Sequence, residues 1–95
     1  MSIEFAYQKF GTAYSILATH PERIQERLRS AFNNAISTVP REDIPAHLLH
    51  RHDSLKQGLA WVENDSVPPS DDEAESLAND VESLYGLLED AVEVL

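Results

Sequence analysis

Residues 70–95 carry the most regular hydrophobic pattern in the chain. Apolar residues recur there at alternating intervals of three and four, which keeps them on one stripe of an α-helix. The stripe consists of Ala74, Leu77, Val81, Leu84, Leu88, Ala91 and Leu95. Ser70 and Glu73 have capping-box spacing at its start, and the acids of the first turn suit the positive end of the helix dipole. The pattern predicts a long helix over residues 71–95.

Three further helices are predicted before this one, because apolar residues recur at helical spacing between breaks at prolines. They are expected at about residues 3–19, 21–38 and 44–62. Thr19 with Glu22 predicts a capping box for the second helix, and Asp43 is the expected N-cap of the third. No segment alternates between apolar and polar residues as a strand would. The sequence therefore predicts one all-α domain over residues 1–95, folded as an up-down-up-down four-helix bundle.

The apolar face of the last helix is broader than a two-stranded coiled coil requires. The residues that widen it are Ala78, Tyr85, Leu87, Val92 and Val94. We interpret this helix as the central member of the bundle. Our hypothesis is that Leu87, Val94 and Leu95, or Trp61 beside the third helix, extend an apolar patch that allows dimerisation or binding of another protein.

Charge is distributed unevenly along the chain, which has a net charge of −10. Residues 1–56 hold seven Lys and Arg against six Asp and Glu, a net of +1. Residues 57–95 hold eleven acids and no base, a net of −11. Phosphate contacts need Lys and Arg, so the acidic half is not expected to bind nucleic acid or an anionic membrane directly. It suits a basic protein partner instead.

Composition narrows the location and the chemistry further. The chain has no run of about 20 apolar residues to cross a membrane and no basic and apolar secretory signal at its start, so a cytoplasmic protein is expected. It has no cysteine, no GxSxG turn and no glycine-rich phosphate loop. Paired carboxylates without an apolar pocket lack the asymmetry of an acid–base pair. We therefore predict a protein that is not an enzyme and needs no cofactor.

The histidines of the third helix offer a remote alternative, a metal site. His47 and His50 lie three residues apart on one helical face, and Asp53 or an acid of the last helix would have to complete the site. The spacing does not match HExxH, and Arg51 places a positive charge beside any cation. His52 falls on the apolar stripe and is expected to be a hydrogen-bonded core residue.

One basic cluster, formed by Arg23, Arg27 and Arg29, lies on the second helix. Glu22 and Glu26 are interspersed with these arginines, and the whole protein is anionic. We interpret the cluster as a solvated helix face, and direct nucleic-acid binding is not expected.

The function predicted from these patterns is that of a small acidic interaction module, which binds a basic protein partner or self-associates. The residues expected to contact the partner are Glu75, Glu82, Glu89, Asp90, Glu93, Leu87 and Val94. The alternative is a nucleic-acid mimic that inhibits a DNA-processing complex, of phage or prophage origin. Glutamates seven residues apart are spaced about 10.5 Å along a helix. Duplex phosphates are spaced about 3.4 Å on each strand, so mimicry would need Asp72, Asp80, Asp90 and Glu93 around that row.

The stretch FAYQKFGTAYSILATHPERIQERLRSAF, residues 5–32, resembles the opening of a group of small bacterial proteins of unknown function. The resemblance implies a bacterial, all-helical protein. It carries no catalytic motif that could be transferred to this chain, and it does not extend to the acidic C-terminal half.

Overall fold

The computed structural model describes residues 2–94, and every regular element among them is helical. The five α-helices are α1 (Ile3–Thr19), α2 (Ile24–Asn34), α3 (Leu49–Gly58), α4 (Ala60–Glu63) and α5 (Asp71–Glu93). Three 3-10 turns connect α2 to α3, at Ile36–Thr38, Arg41–Asp43 and Ala46–Leu48. The all-α prediction is confirmed. None of the helices in this part of the chain is long and apolar enough to cross a membrane.

The two long helices begin at side-chain caps. The Ser2 hydroxyl accepts a hydrogen bond from the Phe5 amide at 3.1 Å at the start of α1. The Ser70 hydroxyl accepts one from the Glu73 amide at 3.3 Å, as the sequence predicts for α5. α5 ends at Glu93, and Leu95, the last member of the predicted stripe, lies outside the described residues.

The boundaries of α2 differ from the prediction of residues 21–38. Thr19 is the last residue of α1, and its hydroxyl donates to the Ser15 carbonyl at 2.7 Å, so the capping box predicted with Glu22 is wrong. α2 begins at Ile24 without a side-chain cap. It ends at Asn34 because Ala35 leaves the helical region, with φ −136° and ψ −65°, before the 3-10 turn that follows.

The predicted third helix, residues 44–62, is broken. Asp43 is not its N-cap, because this buried carboxylate accepts a hydrogen bond from the Ser2 amide at 2.7 Å. A 3-10 turn precedes α3, and Leu59 separates α3 from α4. The apolar pattern conceals these breaks, since 3-10 turns and α-helices both bring every third or fourth residue to one side. The up-down-up-down four-helix bundle is therefore not confirmed.

α5 packs against α1, α2 and α3, and α1 also packs against α2. The side chains of Phe10 on α1 and Leu88 on α5 are fully buried in the resulting core. His52 is also buried, as predicted, with its ring 6.1 Å from that of Phe10 in an edge-on arrangement. Its buried Nδ1 atom has no hydrogen-bond partner among residues 2–94, so a hydrogen-bonded histidine is not confirmed. Trp61, one candidate for an exposed apolar patch, is buried too, with the Arg29 guanidinium 5.2 Å from its ring centre.

Candidate interaction surface on helices α1 and α5

One side of α5 combines acidic and aromatic residues along its length. Its members recur at intervals of three and four, so they form one continuous row on the helix surface. This row consists of Glu75, Ala78, Glu82, Tyr85 and Glu89. The three glutamates are exposed, whereas Ala78 and Tyr85 are half-buried. Tyr85 stacks on tyrosines of α1, and Glu75, Ala78 and Glu82 line a groove shared with α1 and α2, so the row faces α1.

The three tyrosines of the chain form one cluster, which we call the tyrosine stack. The Tyr85 ring lies 5.2 Å from that of Tyr7, at an interplanar angle of 10°. It also lies 5.6 Å from the Tyr14 ring, at 20°. Tyr7 and Tyr14 are seven residues apart, so they lie on one side of α1 with Gly11 between them. A Cβ atom at Gly11 would be 3.2 Å from Cε1 of Tyr85, so glycine lets this ring approach the α1 backbone closely.

The tyrosine stack fixes the position of one predicted site residue. The Tyr7 hydroxyl donates a hydrogen bond to Oε2 of Glu89 at 3.1 Å. The Tyr85 phenol, and then the Glu89 carboxylate, raise the pKa of Tyr7 well above its ordinary value. Tyr7 therefore stays protonated and remains a donor at neutral pH. Glu89 is held against the stack, although its side chain is exposed.

A groove of about 380 Å³ continues the surface between α1, α2 and α5. It is lined by Tyr14, Leu17, Ala18, Ile24, Arg27, Glu75, Ala78, Asn79 and Glu82, and we call it the tyrosine groove. Arg27 donates from Nη1 to the Leu17 carbonyl at 2.7 Å and from Nε to the Glu22 carbonyl at 2.9 Å. Two of the five N–H groups of its guanidinium thus donate to backbone oxygens rather than to Glu75 or Glu82. Among residues 2–94, Glu75 and Glu82 have no basic nitrogen within 4.0 Å.

The remaining predicted contact residues are dispersed. Asp90 is exposed and follows Glu89 directly, which places it about 100° further around the helix. Glu93, also exposed, continues the glutamate row one turn after Glu89. Leu87 is half-buried against the core, and Val94 is 85% exposed at the end of α5. The structure therefore brings together the three glutamates spaced by seven and separates Asp90 and Leu87 from them.

The remote histidine site lacks a third ligand in the structure. His47 and His50 are both exposed. No group of three or more His, Cys, Asp or Glu side chains within residues 2–94 could hold a metal ion. Asp53 is instead paired with Arg41, whose Nε and Nη2 lie 3.1 and 3.0 Å from its two oxygens. This hydrogen-bonded pair lowers the pKa of Asp53, whose carboxylate is thereby committed to Arg41.

A larger groove of about 700 Å³ lies near the start of α1 and has a different character. Its lining is mainly apolar, with Ile3, Ile44, Pro45 and Leu49 among the contributors. None of the residues predicted to contact a partner lines it. It could receive apolar side chains, but nothing in the structure shows what would cover it.

Sequence reasoning treated the three tyrosines only as apolar positions and missed their association. The available signal is the pattern of Tyr7, Gly11 and Tyr14, which places two rings and a gap on one face of α1. Pairing this gap with Tyr85 requires the relative position of α1 and α5, which the sequence pattern does not provide.

Comparison of the chain with protein-family models, with curated proteins and with solved structures gives no match. The resemblance of residues 5–32 to small bacterial proteins therefore stays a prediction. The function has to be argued from the surface itself.

Proposed function

We propose that the protein is a non-catalytic interaction module of the cytoplasm, which binds a basic protein partner through the surface formed by α1 and α5. The observation that carries this proposal is the row of Glu75, Glu82 and Glu89 beside the half-exposed tyrosine stack. Aromatic side chains provide rigid contact area, and carboxylates select a partner of opposite charge.

The charge distribution of the chain supports the same partner. Residues 57–95 have a net charge of −11, which would accelerate association with a basic protein and make the rate fall as salt rises. Glu75 and Glu82 gain no ion pair within the described chain, so their interaction with a partner would not have to break an internal one. The proposed contact therefore depends on these two carboxylates and on the rings beside them.

A matched pair of triple variants tests the proposal. In the surface variant, Glu75, Glu82 and Glu89 become Gln, and in the control variant, Asp72 and Asp80 become Asn and Glu63 becomes Gln. Both variants raise the net charge by three, and all six side chains are exposed. Each protein is immobilised, and the proteins retained from a bacterial lysate are identified by mass spectrometry. We expect a basic protein retained by the wild type and the control and lost by the surface variant.

The other outcomes contradict the proposal. Equal losses in the two variants would show that net charge alone causes retention, and retention of no protein would remove the predicted partner. Release of a DNA-binding protein by added duplex DNA, with equal dependence on both acid sets, would favour the nucleic-acid mimic instead.

Self-association stays a separate prediction. Val94 is exposed, but Leu87 is half-buried against the core, so little contiguous apolar surface is available at these two positions. Sedimentation over a range of protein concentrations measures self-association. A dimer that dissociates in Val94→Glu, but not in Glu93→Gln, would support an interface at the end of α5. A monomer at every concentration would contradict it.

A further inference from the structure

The tyrosine groove has three features that together select one kind of side chain. Tyr14, which is 38% exposed, provides an aromatic surface, because only part of its ring is covered by Tyr85. Leu17, Ile24 and Ala78 provide apolar lining, and Glu75 and Glu82 provide negative charge. An elongated cation with an apolar stem satisfies all three features at once.

Within residues 2–94, no Lys, Arg or His nitrogen lies within 4.0 Å of these two carboxylates. Arg27 is the only Lys or Arg among the lining residues, and its guanidinium donates to the carbonyls of Leu17 and Glu22. The charges of Glu75 and Glu82 therefore remain available to a group from outside. The groove beside α3, where Asp80 lies with His50 and Arg51, differs because no Phe, Tyr or Trp side chain lines it.

We propose that the tyrosine groove receives one arginine side chain of the basic partner, with its guanidinium against the Tyr14 ring and paired with Glu75 or Glu82. This inference rests on the proposed function and names the anchoring contact. Arginine fits better than lysine because its guanidinium is planar, weakly hydrated and able to stack on a ring while it donates to a carboxylate. Lys9 and Lys56 also lie over rings within the chain, at 5.5 Å and 5.9 Å from the centres of Phe5 and Phe32. Arg29 combines both proposed contacts, since its guanidinium lies 5.2 Å from the Trp61 ring centre and within 3.9 Å of two carboxylates.

Two peptides of equal charge, hexaarginine and hexalysine, test the choice of arginine. Their affinities for the wild type are measured by isothermal titration calorimetry at low salt. We expect hexaarginine to bind about tenfold more tightly, because a guanidinium is more weakly hydrated than an ammonium and can donate in its plane to a carboxylate while it is stacked on a ring. Tyr14→Phe should keep this ratio because it keeps the ring, and Tyr14→Ala should reduce the ratio towards one. Glu75→Gln combined with Glu82→Gln should weaken binding of both peptides.

Amide chemical shifts supply a second readout that does not depend on variants. On titration of the wild type with hexaarginine, the largest shifts are expected at Ala18, Ala78 and Asn79 in the groove, rather than at His50 and Ser83 beside α3. Circular dichroism confirms that each variant is folded before its affinity is compared.

Each failure has a distinct meaning. Equal affinities of the two peptides, or a preference that survives Tyr14→Ala, would overturn the arginine anchor and leave the basic partner standing. Shifts centred on the α3 side would do the same. Binding of neither peptide to the wild type would overturn the arginine anchor. In the separate capture experiment, loss of the captured partner from both triple variants would overturn the proposed function.

Discussion

The two flanks of α5 use their charged residues differently. On the α1 flank, Glu75 and Glu82 line a groove whose own arginine is turned to backbone carbonyls. On the α3 flank, Asp80 lines a groove of about 320 Å³ together with His50 and Arg51. None of these three acids has an ion pair among residues 2–94, but only on the α1 side do the hydrogen bonds of the neighbouring arginine go to the backbone, and only there does a tyrosine ring line the groove. The position of the candidate surface is decided by the neighbours of α5, and not by the acidic sequence of α5 alone.

Burial also differs between the flanks. Leu55 and Leu84, which line the α3-side groove, are each only 2% exposed. On the α1 side Phe10 and Leu88 are fully buried beneath the surface, but the groove itself is bordered by the tyrosine stack, in which Tyr14 is 38% exposed and Tyr85 is half-buried. Fully buried aliphatic groups contribute more to stability than partly exposed rings. We therefore expect the buried leucines of the α3-side groove to contribute mainly to stability, and the exposed tyrosine and glutamates of the α1-side groove mainly to binding.

The largest expected effect comes from truncating one residue on each flank. Leu55→Ala should lower the free energy of unfolding by about 2–5 kcal/mol, because it removes buried methyl groups and leaves a cavity. Tyr14→Ala removes a partly exposed ring from one stacked pair and should cost about 1 kcal/mol. Urea denaturation followed by circular dichroism measures both values. Equal losses would break the contrast, since the tyrosine stack would then be as important for stability as the aliphatic core.

A smaller effect is expected from mild acid, and it belongs to the α3 flank. Burial, and then the positive charge of Lys56, lower the pKa of His52 below its ordinary 6.5, while Asp53 opposes them and Arg41 adds a smaller lowering. As pH falls below about 6.5, the unfolded chain therefore binds the His52 proton before the folded chain does. The stability that neutral His52 contributes is complete above that pH. It is lost progressively below it, until the lower folded-state pKa is passed.

Urea denaturation at about pH 7.5 and about pH 5.5 tests this sign. The loss of stability on acidification should be larger in the wild type than in His52→Leu, which has no proton to bind at this position. His50→Gln is the matched control, because His50 lies on the same helix and is exposed. A wild-type loss that disappears in His50→Gln, and persists in His52→Leu, would contradict the assignment.

The sequence predicts α1 and α5 well because their boundaries depend on local signals. Ser70 caps α5 through the Glu73 amide, and the apolar stripe that follows is internal to the helix. Residues 35–63 are predicted poorly because their breaks leave the apolar spacing intact. Asp43 illustrates the limit, since its Ser2 partner lies 41 positions away along the chain. No local pattern reveals such a contact.

The candidate surface is likewise predictable from the sequence only where it depends on a single helix. The row of Glu75, Glu82 and Glu89 follows from a period of seven, which depends on α5 alone. Glu89 also accepts a hydrogen bond from the Tyr7 hydroxyl, 82 positions away along the chain. This contact depends on how α1 packs against α5. The groove and its committed Arg27 depend on α2 as well. Periodicity thus identifies the acids, and tertiary packing decides which of them lie beside aromatic rings.

Two glycine substitutions compare a free surface of α5 with the tyrosine stack, and the expected effects on the free energy of unfolding are about 1 kcal/mol. Gly86→Ala should stabilise the protein by up to about 1 kcal/mol, because alanine is the better helix former and its Cβ would meet no atom within 4 Å. Gly11→Ala should not gain this stability, because its Cβ would lie 3.2 Å from the Tyr85 ring. That ring is itself stacked on Tyr7 and Tyr14. Thermal denaturation should place Gly11→Ala below Gly86→Ala. The reverse order would show that the tyrosine stack yields easily.

The smallest effect concerns the exposed ion pair that joins the Arg41–Asp43 turn to α3. Arg41 holds both oxygens of Asp53 and lowers its pKa, so the pair contributes stability above the ordinary pKa of aspartate, which is lost as pH falls through the lower folded-state value. Both side chains are well exposed, so solvent screens the pair and Asp53→Asn should lower the urea midpoint only slightly. The difference should vanish at high salt.

Asp80→Asn, which removes a carboxylate with no ion pair among residues 2–94, should show no such loss at low salt. A loss in Asp53→Asn comparable to that in Leu55→Ala would mean that the α3 flank depends on this surface pair as much as on its buried leucines.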